Sequence, residues 1–111
     1  MGFDRGLFPG ALEMMILQTL RRSPQHAYAL AKSIKQSSDE LLQVEEGSLY
    51  PALQRMLKAK LVSSEWQTSP NNQKIKVYKI TAAGRKKLQS NISSFEKMLD
   101  AISRVMKRAE S

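Results

Sequence analysis

Residues 45–88 read EEGSLYPALQRMLKAKLVSSEWQTSPNNQKIKVYKITAAGRKKL. Leu49, Leu53, Met56 and Leu57 recur three and four apart, the spacing of one helix face. Glu45 and Glu46 stand where carboxylates complement the positive end of a helix. Pro51 is tolerable only within the first turn, so the helix starts near residues 46–48 and ends around Ala59. Val62 and Trp66 mark the apolar positions of a strand over 61–68. Ser69-Pro70-Asn71-Asn72 is turn chemistry. Lys74 and Lys76 then alternate with Ile75 and Val77 up to Ile80, the two-residue period of a returning strand. Helix, strand, basic turn and strand is the layout of a winged helix. In that fold a helix enters the DNA major groove and the hairpin turn touches the flanking backbone.

Outward from this stretch, the rest of the chain is helical. Leu12, Ile16 and Leu20, with Met15 and Thr19 beside them, give a helix over 11–22 that Ser23-Pro24 ends. Arg21 and Arg22 suit its negative end. A second helix over 26–36 has Tyr28, Leu30, Ala31 and Ile34 as its expected buried set. Ser37-Ser38-Asp39 breaks it. Leu41, Leu42 and Val44 then either pair as a small strand or fill a corner. Residues 3–9 form a short, partly apolar lead-in. Thr81 can cap a last helix over 82–108, about 40 Å long. Leu88, Ile92, Phe95, Leu99, Ile102 and Met106 recur along it with a heptad period. A small domain cannot cover so long a stripe alone. The predicted class is mainly α with a small β-hairpin (α+β). A winged helix-turn-helix spans residues 1–81, and a C-terminal dimerisation helix spans 82–111.

Composition narrows the function. A chain of 111 residues is one domain with at most an appendage. Its hydrophobic content of 41% is that of a folded protein. It contains no cysteine, which removes disulfides, thiolate metal sites and cysteine nucleophiles and fits a reducing cytoplasm. No apolar stretch approaches the ~20 residues of a membrane span. The greasiest, over 11–20, is interrupted by Glu13, Gln18 and Thr19. Asp4 and Arg5 do not open a signal peptide, and Gly6 stands where a myristoylation motif wants Ser or Thr. His26 is the sole histidine, and no metal-ligand spacing surrounds it. No nucleophile elbow or phosphate-cradling glycine loop is present. These features predict a soluble, cytoplasmic non-enzyme with no catalytic residue, no metal, no cofactor and no membrane partner.

The net charge of +8 is lopsided: residues 1–54 carry −1 and residues 55–111 carry +9. A basic half suits a polyanion, with nucleic acid ahead of a membrane surface. The plain alternative is a soluble basic surface.

Four stretches resemble the PadR-type transcriptional regulators: Leu12-Glu13-Met14-Met15-Ile16-Leu17, His26-Ala27-Tyr28-Ala29-Leu30, the block from Glu46 to Leu53, and Tyr78-Lys79-Ile80-Thr81-Ala82-Ala83-Gly84-Arg85. The Gly-Ser-Leu-Tyr-Pro-Ala-Leu block, followed at the right distance by Tyr-x-Ile-Thr-x-x-Gly, is the specific part. The resemblance runs from about Leu7 to Met106. It implies a homodimer that binds operator DNA, usually as a repressor, through an N-terminal winged helix-turn-helix. It also implies a small-molecule effector, since members respond to phenolic acids or other small aromatic or lipophilic compounds. The chain departs from the family at Ala27, often Gly, and at Val77, often Tyr. Its wing carries lysines where arginines are frequent, which favours phosphate attraction over bidentate base reading.

The candidate DNA contacts follow. Tyr50 lies near the N-terminal end of the third helix, where its hydroxyl can bond a phosphate or base edge. Ser48, Pro51 and Gln54 share its face, and Gln can pair with adenine. Arg55 and Lys58 suit phosphates. Asn72, Gln73, Lys74 and Lys76 on the wing suit phosphates or a minor groove. Against these stand plain readings: Tyr50 packed on the hairpin, Gln54 solvated, and the hairpin merely charged. Arg85, Lys86 and Lys87 oppose the dipole of the last helix, which a grazed DNA backbone would explain. Trp66 reads as a core or interface aromatic. Leu88, Ile92, Phe95, Leu99, Ile102 and Met106 are the expected dimer seam. The rival function is a winged-helix protein–protein adaptor without specific DNA binding.

Overall fold

The computed structural model describes residues 10–110, so the lead-in over 3–9 lies outside it. The elements are α1 (Ala11–Arg22), β1 (Gln25–His26), α2 (Ala27–Ser37), α3 (Glu46–Lys58), β2 (Val62–Thr68), β3 (Lys74–Ile80) and α4 (Ala82–Glu110). The strands form one antiparallel sheet in the order β1-β3-β2. This is the α+β winged helix that the sequence predicts.

Local chemistry sets the ends of the elements. The His26 ring caps α2, its Nδ1 accepting from the Ala29 N–H at 3.0 Å. At the end of α3 the Lys60 N–H donates to the Leu57 carbonyl at 3.0 Å and the Leu61 N–H to that of Met56 at 2.9 Å. This is a Schellman closure, and Lys60 takes the left-handed conformation (φ 61°) that usually falls to glycine. Thr81 starts α4: its hydroxyl accepts from the Gly84 N–H at 3.0 Å and lies 2.7 Å from the Lys60 carbonyl.

A single core lies between the helices and the sheet. Ile16, Leu17 and Leu20 of α1, Leu30 and Ile34 of α2, and Leu49, Leu53 and Met56 of α3 are buried in it. Val62, Tyr78 and Ile80 cover it from the sheet, and Leu88 closes it from α4. Burial pushes the Tyr78 phenol pKa up from its ordinary value. The root of α4 lies very close to the α3–β2 connection. A Cβ built on Gly84 would fall 2.1 Å from the Leu61 carbonyl oxygen. Beyond Met98 the helix leaves the domain. The dimensions are accordingly 61 × 30 × 21 Å. The radius of gyration is 15.9 Å, where a compact chain of this length has about 13 Å.

Three expectations need correction, and one open alternative is decided. The third strand is Gln25–His26, whose residues pair with Tyr78 and Val77 of β3. Residues 41–45 are irregular: Asp39 and Glu40 both have positive φ, which turns the chain so that Val44 fills a corner of the core. Pro51 is the sixth residue of α3 and so stands beyond its first turn. The carbonyl that its missing N–H would have bonded belongs to Gly47, which is exposed to water. Tyr28 is exposed; Ala27 takes its place in the core, because the buried stripe of α2 is Ala27, Leu30, Ala31 and Ile34.

Candidate nucleic-acid interface

The buried stripe of α3 decides what its other face shows. Leu49, Ala52, Leu53 and Met56 are enclosed, so Tyr50, Pro51, Gln54, Arg55 and Lys58 point to solvent. Ser48 is half-buried at the first turn. Tyr50 is 45% exposed. Its hydroxyl donates to Glu46 Oε1 at 3.1 Å, one helical turn back. Partial burial, then the Glu46 hydrogen bond and charge, raise the Tyr50 pKa. The phenol therefore stays a neutral donor throughout the physiological range.

The wing is built by its turn. The Ser69 N–H donates to the Gln73 carbonyl at 2.8 Å, and the Ser69 hydroxyl accepts from the Gln73 N–H at 3.1 Å. Asn72 supplies the positive φ (63°) that closes the loop. Asn72, Gln73 and Lys74 are thus presented at an exposed tip. Lys76 is half-buried instead. Its Nζ lies 5.9 Å from the ring centroids of both Trp66 and Tyr78, within cation–π range.

Tyr50 and the wing lysines line one open cleft of about 470 Å³, between the start of α2, the first turn of α3 and the hairpin. His26, Tyr28, Glu46, Trp66 and Gln73 share it. Trp66 is 68% exposed, which removes it from the core. Four of these neighbours, His26 among them, escaped the sequence reading of the site. Glu46 carried a signal in its i,i+4 spacing to Tyr50. Tyr28 and Trp66 carried none, because the cleft joins segments distant in sequence. Ser48, Pro51, Gln54, Arg55, Lys58 and Asn72 are not among the cleft's lining residues. Arg85, Lys86 and Lys87 are exposed at the root of α4.

The stripe of α4 divides in two. Leu88 is enclosed in its own chain's core and offers no surface to a second chain. Ile92 packs against that core, and Phe95 is half-buried in a recess shared with Met14 of α1. Leu99, Ile102, Val105 and Met106 are exposed. Among the described residues no helix is long and apolar enough to cross a membrane, and no cluster of His, Asp and Glu could hold a metal ion.

Comparison with known proteins gives this geometry its context. A PadR-like transcriptional regulator of Bacillus cereus is 28% identical, with a TM-score of 0.74 over 88% of this chain and 93% of its own. A PadR-family regulator of Eggerthella lenta is likewise 28% identical, with a TM-score of 0.75 over 88% of this chain and 83% of its own. Bacillus subtilis PadR, solved in complex with operator DNA, shares the fold at 19% identity, with a TM-score of 0.65 over 72% of this chain and 45% of its own. An uncharacterised protein of Lysinibacillus sphaericus is 23% identical over 101 residues, 91% of this chain and 93% of its own. The model of the transcriptional regulator PadR-like family matches residues 16–90. With its winged helix and these relatives, the chain belongs to the PadR-like family of transcriptional regulators.

Proposed function

We propose that the chain is a cytoplasmic homodimeric repressor of an inverted-repeat operator. The observation that carries this reading is the exposure of the outer α3 face beside the lysine-bearing wing, with Tyr50, Lys74 and Lys76 meeting in one cleft. In each subunit, α3 enters a major groove, where Tyr50 and Gln54 meet base edges or phosphates. Ser48 and Pro51 lie against the same groove wall. Arg55 and Lys58 hold the phosphates beside it. Asn72, Gln73, Lys74 and Lys76 hold the flanking backbone. Two copies pair through the outer half of α4, whose exposed Leu99, Ile102 and Met106 leave an apolar stripe that one chain does not cover. Ile92 and Phe95 border that contact. A two-fold dimer presents its reading helices about 34 Å apart, and the operator repeats with the same symmetry. A mainly apolar recess of about 310 Å³, walled by Met14, Met15, Ile34, Leu42 and Ile92 and rimmed by polar residues such as Gln18 and Arg22, supports release by a small aromatic or lipophilic effector.

The test is capture of sheared genomic DNA by the tagged protein at near-physiological salt, followed by sequencing. A few sharply enriched sites sharing an inverted repeat are expected. A flat profile, together with weak and salt-insensitive DNA binding, would sink the reading.

A further inference from the structure

We infer that Trp66 and Tyr28 form a second DNA contact beside α3, gripping the sugar–phosphate backbone of the strand next to the wing. The inference rests on the DNA-binding reading above and adds two residues and a ligand chemistry to it. Trp66 and Tyr28 are 68% and 62% exposed, yet both line the cleft that holds Tyr50 and Lys74.

The strand register explains why Trp66 points there. Val62 pairs with Ile80, Ser64 with Tyr78 and Trp66 with Lys76. Side chains two apart share a sheet face. Trp66 and Lys76 are therefore the continuation, past the edge of the core, of the face that carries Tyr78 and Ile80. The indole looks into the angle between wing and helices. Tyr28 lines the same cleft from the start of α2, its ring 6.3 Å from that of His26.

The chemistry of the walls selects the occupant. Lys76 is held against the Trp66 and Tyr78 rings, and Lys74 stands two residues further out. The indole N–H and the Tyr28 hydroxyl add neutral donors. Donors beside fixed cations suit phosphate oxygens, and the ring faces suit the apolar side of deoxyribose. Among the described residues Glu46 is the one carboxylate lining this cleft, and the Tyr50 hydroxyl bonds it. Base reading is disfavoured for Trp66, because an indole N–H only donates and base edges are mainly told apart by paired donors and acceptors.

Trp66 is the only tryptophan of the chain, so its fluorescence reports the contact directly. The full chain is titrated with sheared genomic DNA at low salt. Acrylamide quenching of the indole is followed alongside the anisotropy of fluorescein-labelled duplex. DNA is expected to shield the indole from acrylamide. Trp66→Phe, which keeps a ring and loses the N–H, should weaken binding to every sequence about three- to tenfold. Its salt slope should stay that of the parent, since no charge is removed. Bound DNA that leaves Trp66 as open to acrylamide as in the free protein overturns the contact while the DNA-binding reading stands. Parental affinity of Trp66→Phe does the same. Absence of any DNA binding by anisotropy overturns both. The quenching arm uses the parent chain, so it does not depend on how a variant folds.

Discussion

Gly84→Ala tests the packing that anchors the long helix, and two physical effects give it opposite signs. Helix propensity alone favours alanine over glycine by about 1 kcal/mol. The structure argues the reverse. The added Cβ would stand 2.1 Å from the Leu61 carbonyl oxygen and 2.8 Å from Ile80 Cγ1. Carbon and carbonyl oxygen settle near 3.3 Å, so α4 and the α3–β2 connection must part by about 1.2 Å. That oxygen already accepts from the Thr81 N–H at 3.1 Å, while the single Thr81 hydroxyl proton is shared with the nearer Lys60 carbonyl (2.7 Å against 3.0 Å). Losing the N–H bond costs about 1 kcal/mol. Residual overpacking adds about 1–3 kcal/mol. After the propensity gain, the net loss is about 1–3 kcal/mol, or about 5–20 °C in Tm for a domain of this size. Gly47→Ala is the control: nothing lies within 4 Å of its built Cβ, so propensity acts unopposed and stability should rise by up to about 1 kcal/mol. Equilibrium urea unfolding by circular dichroism, at one fixed protein concentration, measures both. A Gly84→Ala protein as stable as its parent would refute the close-approach argument.

Three further outcomes are expected. Tyr50→Ala should lose about 1–3 kcal/mol of operator affinity with the fold intact, as measured by gel shift and circular dichroism; parental affinity would remove Tyr50 from the interface. Lys74→Ala should weaken binding to all sequences and reduce the slope of log K against log salt by about one. An unchanged slope would mean that the wing tip does not neutralise a phosphate. Leu99→Asp should yield monomers in sedimentation velocity, since a carboxylate in an apolar helix seam is costly to bury; a persistent dimer would place the subunit contact elsewhere.

The exposed face of α3 was legible because the spacing of Leu49, Leu53 and Met56, four and three apart, leaves only one side for Tyr50 and Gln54. The wing was legible because Ser69-Pro70-Asn71-Asn72 interrupts two alternating runs. Other features had no comparable signal. Gln25–His26 is too short to show a period, and it pairs only because the α1–α2 link runs along the free edge of β3. Tyr28 was misplaced because its size suggested burial, whereas the i, i+3, i+4, i+7 stripe runs through the smaller Ala27. Trp66 outruns the core: alternation gave its face correctly but not where the covering helices stop. The heptad from Leu88 to Met106 is continuous in sequence, yet its first residue serves the chain's own core while its last ones face solvent. A pattern of spacing does not name the neighbour that fills each position.

The unbroken course of α4 has a mechanical consequence. Its root is locked by Gly84 and Leu88, and α1 stays against it as far as Phe95 and Met98; its end at Glu110 lies 12 residues beyond Met98, a lever of about 18 Å. An α-helix bends little without a proline or a π-bulge, and α4 contains no proline. A tilt of about 11° where α1 lets go therefore sweeps the tip through about 3.4 Å, the rise of one base pair. Small repacking where α1 meets α4 is thereby geared up to the length scale on which a double helix is indexed.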